Sequence, residues 1–400
     1  MNGRPVLVIN TGSSTIKYQL LEVGDGEGTV LASGLVDRIG SAGSTLVHRA
    51  AGQPDLTVEE PIADHEAGFR GVLDAFEKTG IPADLAVVGH RVVHGGERFD
   101  GPALVDDNVL ASIRELTPLA PLHNPSNALG IEVARRLYPD LPQVAVFDTA
   151  FHRTMPARAY RYALPRELAD RYGIRRFGFH GTSHQYVSRR AAEHLGRPID
   201  ELALITLHLG NGASAAAVAG GRCIDTSMGL TPLAGLVMGT RSGDIDPAVV
   251  FHLHREAGLA LDEIETILTK QSGLLGLAGA GDVREVRARI EAGDPEAAEA
   301  LDIFCYRVRG YVGAYAAALG RVDAIVFTAG IGENDPQIRA DVCDGLQGFG
   351  VRVDGGRNSA PERGTRAVSA ADSLVQVLVV PTDEELEIAR QALDLAGGLR

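Results

Sequence analysis

Four hundred residues, 45% of them hydrophobic, with a mean hydropathy of +0.02, suit a globular chain of two domains, each with its own core. The formal net charge of −14 argues against nucleic acid as a main partner and makes any local arginine cluster more telling. Cys223, Cys305 and Cys343 form no CxxC and read as small core hydrophobes in a reducing compartment. The N-terminal apolar run is too short for a signal peptide. The uncharged stretch 310–319 is too short for a membrane span and has Arg307 and Arg309 beside it. The expectation is a cytoplasmic protein with no membrane partner.

In chain order, the first strong signal is Val6 to Tyr18, VLVINTGSSTIKY. An apolar strand ends at Asn10, a turn holds Thr11, Gly12, Ser13 and Ser14, and a second strand starts at Thr15. Such a turn of small polar residues, with a Gly12 free to take a positive φ, lets backbone N–H groups come close to an anion such as phosphate. Lys17 would lie over it. The chain has three lysines against 35 arginines, so a lysine here suggests that a compact ammonium is wanted. The same build recurs half a chain later at Leu204 to Val218, with Gly210, Asn211 and Gly212 in the turn. A further strand follows in each copy, GLVDRIG at Gly34 to Gly40 and GRCIDTSMG at Gly221 to Gly229. A half-length repeat of this kind implies two homologous lobes facing one nucleotide.

Leu46 to Thr57 reads as a further edge strand, and Asp64 to Lys78 as a helix with His65, Phe69, Val72, Leu73 and Phe76 on one face. Leu85 to Val88 is a buried strand leading into a loop, Gly89 to Phe99. A short helix spans Asn108 to Leu116. Pro121 and Pro125 fix a loop before a helix that ends at Tyr138. The strand Val144 to Phe147 delivers Asp148 at its C-terminal end, where α/β proteins place ligand-binding groups. Residues 149–176 read as the lobe boundary, and a helix then runs to about Leu195. Thr226 to Pro247 is too glycine-rich for a helix and too apolar for a linker. Asp262 is expected to cap a helix facing inward through Ile264, Ile267 and Leu268. Ser272 to Val286 reads as a glycine loop entering a helix, and Pro295 opens a long one. A strand, Ala324 to Thr328, leads to AGIGEN. Val375 to Val380 is the last strand, and residues 381–385 start the terminal helix.

No GxxxxGK[ST] occurs, no GxGxxG follows the first strand, and there is neither a GxSxG elbow nor an HExxH around His180 and His184. What remains is a set of polar residues after strands: Asn10, Arg91, Asp148, His180, Arg241 and Glu384. Two arginines and a histidine can neutralise an anion in flight, and carboxylates with an amide can hold a magnesium ion. That is the inventory of phosphoryl transfer. Bland readings stand beside it. Arg91 and Arg241 also suit structural ion pairs, Asp148 a helix cap, and Glu384 a first-turn acid.

NTGSSTIK, GHRVVHGGE, APLHNP, DTAFHRTMP, FHGTSH, HLGNGAS, MGTRSGDIDP, GIGEN and PTDEEL, in this order from residue 6 to about 390, together resemble the acetate kinase family. The resemblance implies an α/β fold of two ribonuclease-H-like lobes, a duplicated βββαβαβα core with the active site in the cleft, as in actin, sugar kinases and heat-shock chaperones. It places residues 1–150 and the C-terminal helix 384–400 in a lobe for acetate and metal. Residues 151–383 then form a lobe for the nucleotide. It implies a homodimer, ATP or ADP as co-substrate, and Mg²⁺ with Mn²⁺ as a substitute. Arg91 matches the acetate-binding arginine and Asp148 the catalytic aspartate. His180 and Arg241 match transition-state stabilisers, and Asn10 and Glu384 metal positions. Lys17, the segment His208, Leu209, Gly210, Asn211 and Gly212, the segment Asp282, Val283 and Arg284, and the segment Gly330, Ile331, Gly332, Glu333 and Asn334 match nucleotide-binding residues. Val93, Leu122, Phe179 and Pro232 match the apolar pocket for the methyl group. Ala234 stands where the family carries Glu, Phe177 where Tyr is commoner, and Gly281 where Ser precedes the Asp.

Acetate is already ionised at neutral pH, so a general base would be idle, and Asp148 is expected to position Mg²⁺ or its waters. The rivals are a propionate or butyrate kinase of the same family and a non-enzymatic, actin-like nucleotide switch.

Overall fold

The computed structural model describes residues 3–24, 27–81 and 84–397. Val6, Leu7, Val8 and Ile9 are all at most 2% exposed, the pattern of a strand covered on both faces. The next strand instead alternates, with Ile16, Tyr18 and Leu20 buried and Lys17 exposed. The chain divides into two compact units, one of residues 1–150 and 383–400, the other of residues 151–382.

The first unit holds β1 (Arg4–Thr11), β2 (Ile16–Val23), β3 (Gly28–Asp37), β4 (Thr45–Ala50), β5 (Leu56–Val58), β6 (Val87–Val92), β7 (Ala103–Leu104) and β8 (Gln143–Phe147). They form one sheet in the order β5-β4-β3-β2-β1-β6-β8-β7. β1, β2 and β3 are antiparallel neighbours, and β6 and β8 continue parallel to β1. The second unit holds β9 (Ala203–Leu209), β10 (Ala213–Ala219), β11 (Arg222–Thr226), β12 (Ala324–Thr328), β13 (Arg366–Ala367) and β14 (Gln376–Val379), in the order β11-β10-β9-β12-β14-β13. Here β12 is parallel to β9 and β14 to β12. Third, second, first, fourth and fifth core strands therefore lie in the same order in both units. Gly12 and Gly210 each follow the first of them.

Helices cover both sheets, as parallel strands require. The helix His65–Lys78 is capped by Asp64 and buries His65, Phe69, Val72 and Phe76. The terminal helix Glu384–Gly397 lies on β1, β6 and β8, and the helix Gly181–Leu195 on β9 and β12. Pro295–Leu319 buries Leu301, Phe304, Val308 and Val312. All three cysteines are buried thiols. No helix among the described residues is long and apolar enough to cross a membrane.

Several local expectations are corrected. Gly12 does not take a positive φ. It is needed for space instead, since a Cβ there would lie 2.6 Å from Thr15 Oγ1. Arg91 is on a strand, not in a loop, because β6 runs on to Val92 and pairs Arg91 with Val146. Asp262 is not a cap: the helix starts at Leu261, and Glu263 Oε2 reaches back to the Ala260 N–H at 2.7 Å. The glycine-rich loop after Ser272 begins as a short helix, Gly273–Ala278, and AGIGEN, given no element in the sequence reading, is another, Ala329–Asn334.

Candidate active site

In the first unit, β1, β6 and β8 end side by side and carry Asn10, Arg91 and Asp148 at or just past their C-terminal ends, the usual ligand edge of a parallel sheet. Arg91 donates Nε–H to Asp148 Oδ1 at 3.0 Å and Nη2–H to Oδ2 at 2.7 Å. The Asp148 side chain is 2% exposed, that of Arg91 25%. Burial pushes the Asp148 carboxyl up, the Arg91 fork pulls it down, and the charge of Glu384 adds to the upward push. Asp148 in turn raises Arg91 further above its ordinary value. A guanidinium keeps its proton at any working pH, so two N–H groups on two oxygens make this an ion pair. Arg91 thus does have the structural partner of the bland reading, yet three of its five N–H groups remain for a ligand.

The segment after β6 is held from the start of the helix Asn124–Leu137. Asn127 Oδ1 accepts the Val93 N–H at 3.1 Å, and Asn124 Oδ1 accepts the His94 N–H at 3.2 Å. Asn127 also donates to the Thr11 carbonyl at 2.9 Å, tying that segment to the turn after β1. Val93 is half-buried and Leu122, in the loop before this helix, is exposed. Asn10 faces Lys17 across β1 and β2, and Lys17 is ion-paired with Glu385. Asp383 caps the terminal helix by accepting the Leu386 N–H at 2.9 Å, which sets Glu384 at its first position.

In the second unit, His180 precedes the helix Gly181–Leu195 at φ 55°, a left-handed conformation uncommon outside glycine. Its ring stacks on His208 at 4.2 Å between centroids. Its Nδ1 is 2.9 Å from Ser214 Oγ. The same hydroxyl lies 2.8 Å from His184 Nε2, whose Nδ1 is 2.7 Å from Thr206 Oγ1. Burial holds His184 well below the ordinary histidine range, so it stays neutral and orders the chain Thr206–His184–Ser214–His180. His208 is fixed by Ser183 Oγ at 2.7 Å.

Arg241 comes to the same place from the glycine-rich stretch. A Cβ on Gly212 would lie 3.5 Å from His180 Nε2 and 3.8 Å from Arg241 Nη1, so both side chains lie beside this turn. Arg241 donates to the Pro232 carbonyl at 3.0 Å, and among the described residues no carboxylate pairs with it. Burial lowers its affinity for the proton without removing it. The loop is braced by Ser272 N–H on the Thr240 carbonyl at 3.0 Å and Leu275 N–H on that of Gly239 at 2.9 Å. Gly273 makes this approach feasible: its φ is +64°, and a Cβ there would lie 2.1 Å from the Met238 carbonyl oxygen.

Two further segments meet the same turn. Gly239 donates to the Asn211 carbonyl at 2.9 Å, and the start of the helix Ala329–Asn334 lies against Gly210. Asn334 closes that helix on the Gly330 carbonyl at 2.8 Å. Asp282 caps the helix Val283–Glu291, and the Arg284 fork holds its carboxyl down to about 2. Phe179 is only 2% exposed, its carbonyl 2.9 Å from His152 Nε2.

Sequence reasoning overlooked Asn124, Asn127, His184 and Ser214 as positioning residues. Each lies inside a quoted motif or one or two residues beyond it, but its role depends on a partner far along the chain. Among the described residues no group of three His, Cys, Asp or Glu side chains is set to hold a metal. A magnesium ion that keeps most of its waters and binds substrate phosphates needs only one or two protein oxygens, which Asn10 and Glu384 can supply.

Residues 5–390 match the Acetokinase family. An acetate kinase of Streptomyces coelicolor is 57% identical over 99% of this chain and 98% of its own length. The crystal structure of Porphyromonas gingivalis acetate kinase superposes with a TM-score of 0.94 at 43% identity, covering 98% of this chain and 99% of that one. A propionate kinase from Francisella tularensis follows at 0.92 and 40%, with the same coverage.

Proposed function

The chain belongs to the acetokinase family, and from that premise we propose that it transfers the γ-phosphate of ATP reversibly to acetate, giving acetyl phosphate and ADP by direct in-line displacement. The observation that carries the mechanism is the Arg91–Asp148 pair. It sets a guanidinium in a fixed orientation and commits both oxygens of the nearby carboxylate to it. Asp148 then orients rather than abstracts, which suits a substrate with no proton to lose. Arg91 grips the acetate carboxylate with its remaining N–H groups. Val93, Leu122, Phe179 and Pro232, which the family resemblance assigns to the methyl group, carry no hydrogen-bonding side chain, which disfavours a sugar acceptor.

Arg241 and His180, both beside Gly212, screen one anion attacking another and stabilise charge on the moving phosphoryl group. His208 to Gly212, Asp282 to Arg284, Gly330 to Asn334 and Lys17 hold the nucleotide. Asn10 and Glu384 hold Mg²⁺, with Asp148 as an outer neighbour; the ion, when bound, neutralises phosphate charge. We place the enzyme in the cytoplasm as a homodimer. Propionate is the second reading, because a similar structure carries that name.

Incubation with ATP, Mg²⁺ and acetate, propionate or butyrate, trapping acyl phosphate as hydroxamate, tests the proposal. Acetate should give the highest kcat/KM. A higher value for propionate would move the chain to the second reading, and no hydroxamate from any acid would end both.

A further inference from the structure

We infer that the second unit carries an inorganic-oxyanion site of its own, in a cavity of about 530 Å³ lined by Arg339, Arg363, Arg366 and Asn358 on the side of the helix Ala329–Asn334 that bears Glu333. Arg339, on the helix Pro336–Cys343, is 1% exposed, and every partner of its guanidinium is a neutral oxygen. Nε donates to Asn358 Oδ1 at 2.7 Å, Nη2 to the Asn358 carbonyl at 2.7 Å, and Nη1 to the carbonyls of Gly332 and Glu333 at 2.9 and 3.0 Å. A buried charge is normally matched by an opposite one. Arg366, on β13, adds a second charge close by. Its Nε is buried and meets no acceptor among the described residues, and its Nη1 reaches the Gly364 carbonyl at 3.3 Å.

Burial and the neighbouring Arg366 bring Arg339 down to about 10, which still leaves it charged at neutral pH. Two carboxylates also line the cavity, Glu333 and Glu362. Glu333 turns one oxygen to the Thr382 N–H at 3.2 Å, and Glu362 is exposed. Three guanidiniums against two carboxylates leave a positive surplus, and the forks of Arg363 and Arg366, with the one N–H of Arg339 not given to a protein oxygen, suit a tetrahedral anion of the phosphate class. Arg339 also bonds the carbonyls of Gly332 and Glu333. The cavity therefore shares a guanidinium with the segment assigned above to the nucleotide, while its lining arginines have no part in the proposed chemistry.

The test is calorimetric titration of inorganic phosphate into the full chain carrying Arg91→Leu and Arg241→Leu, which removes the guanidiniums of the proposed catalytic site, together with Asp148→Asn, which relieves the buried carboxylate, its fold checked by thermal melting. One phosphate per chain should bind with ADP present or absent. Sulfate should compete; chloride and acetate should not. Adding Arg366→Gln, on an edge strand, should weaken binding at least tenfold. Arg363→Gln, an exposed position, should weaken it as well without touching the fold. Absence of saturable binding, affinity unchanged in both variants, displacement by ADP, or equal competition by acetate would each overturn the assignment.

Discussion

Replacing Arg91 by Leu removes the guanidinium that joins Asp148 to the proposed acetate site, and two separable effects are predicted. The first is on binding. Hydrogen bonds to charged groups contribute about 1.5–3 kcal/mol, so the acetate KM should rise roughly 10- to 150-fold, with turnover falling too. The second is on stability. Asp148, with a side chain 2% exposed, would be left as a buried carboxylate without its cation, which costs about 3–5 kcal/mol. Burial already pushes this carboxyl up and Arg91 is what pulls it down, so the variant raises it further. A carboxyl whose folded pKa exceeds its unfolded value of about 3.9 stabilises the protonated folded state. The contribution is complete below that value and is lost as pH rises through the folded pKa. The variant should therefore melt well below the parent at about pH 8 and recover much of the gap toward about pH 5. Adding Asp148→Asn should restore the melting temperature but not the acetate KM. Hydroxamate kinetics and thermal melts read these outcomes. A normal acetate KM would remove Arg91 from the acetate site, and a stability gap independent of pH would refute the account of the buried pair.

Four further outcomes are predicted. Arg241→Leu should lower kcat by about 10³–10⁵ while the ATP KM stays within a few-fold, because its charge counts mainly in the transition state; a tenth of normal kcat retained would exclude that role. Asp148→Asn should weaken the Mg²⁺ dependence and leave the shape of the pH profile alone, whereas rescue at high pH with an unchanged Mg²⁺ response would restore a base role. Val93→Ala should raise propionate kcat/KM relative to acetate by tens-fold, since a methylene in an apolar pocket is worth about 1–3 kcal/mol; an unchanged ratio in a folded variant would place Val93 outside the pocket. Burial lowers His90 and His152 to about 4 and holds His184 well below its ordinary range, so the parent's stability should fall as pH drops from about 6.5 toward 4, and a urea midpoint flat over that range would contradict it.

The repeat was legible because Gly12 and Gly210 sit in turns whose flanking strands have their own hydrophobic signature. Asp148 was legible as the residue after an all-apolar strand. Less visible was where strands stop: Arg91 looked like a loop residue because His90 and Arg91 interrupt the apolar run, yet the parallel neighbour β8 carries the ladder through it. The helices Gly273–Ala278 and Ala329–Asn334 were hidden by glycines that tertiary contact, not local propensity, makes helical. The role of Gly273 is set by the Met238 carbonyl, and that of Ser214 on β10 by the rings of His180 and His184. No local pattern in the sequence encodes either partner.

The central claim is that an acetate oxygen attacks the γ-phosphorus of ATP. Phosphorus NMR of a reaction of ATP with acetate labelled in both oxygens with ¹⁸O tests it directly. The account predicts that new acetyl phosphate carries the isotope-shifted phosphorus resonance of an ¹⁸O bridge. Acetyl phosphate with an unshifted resonance, or none formed, would contradict it.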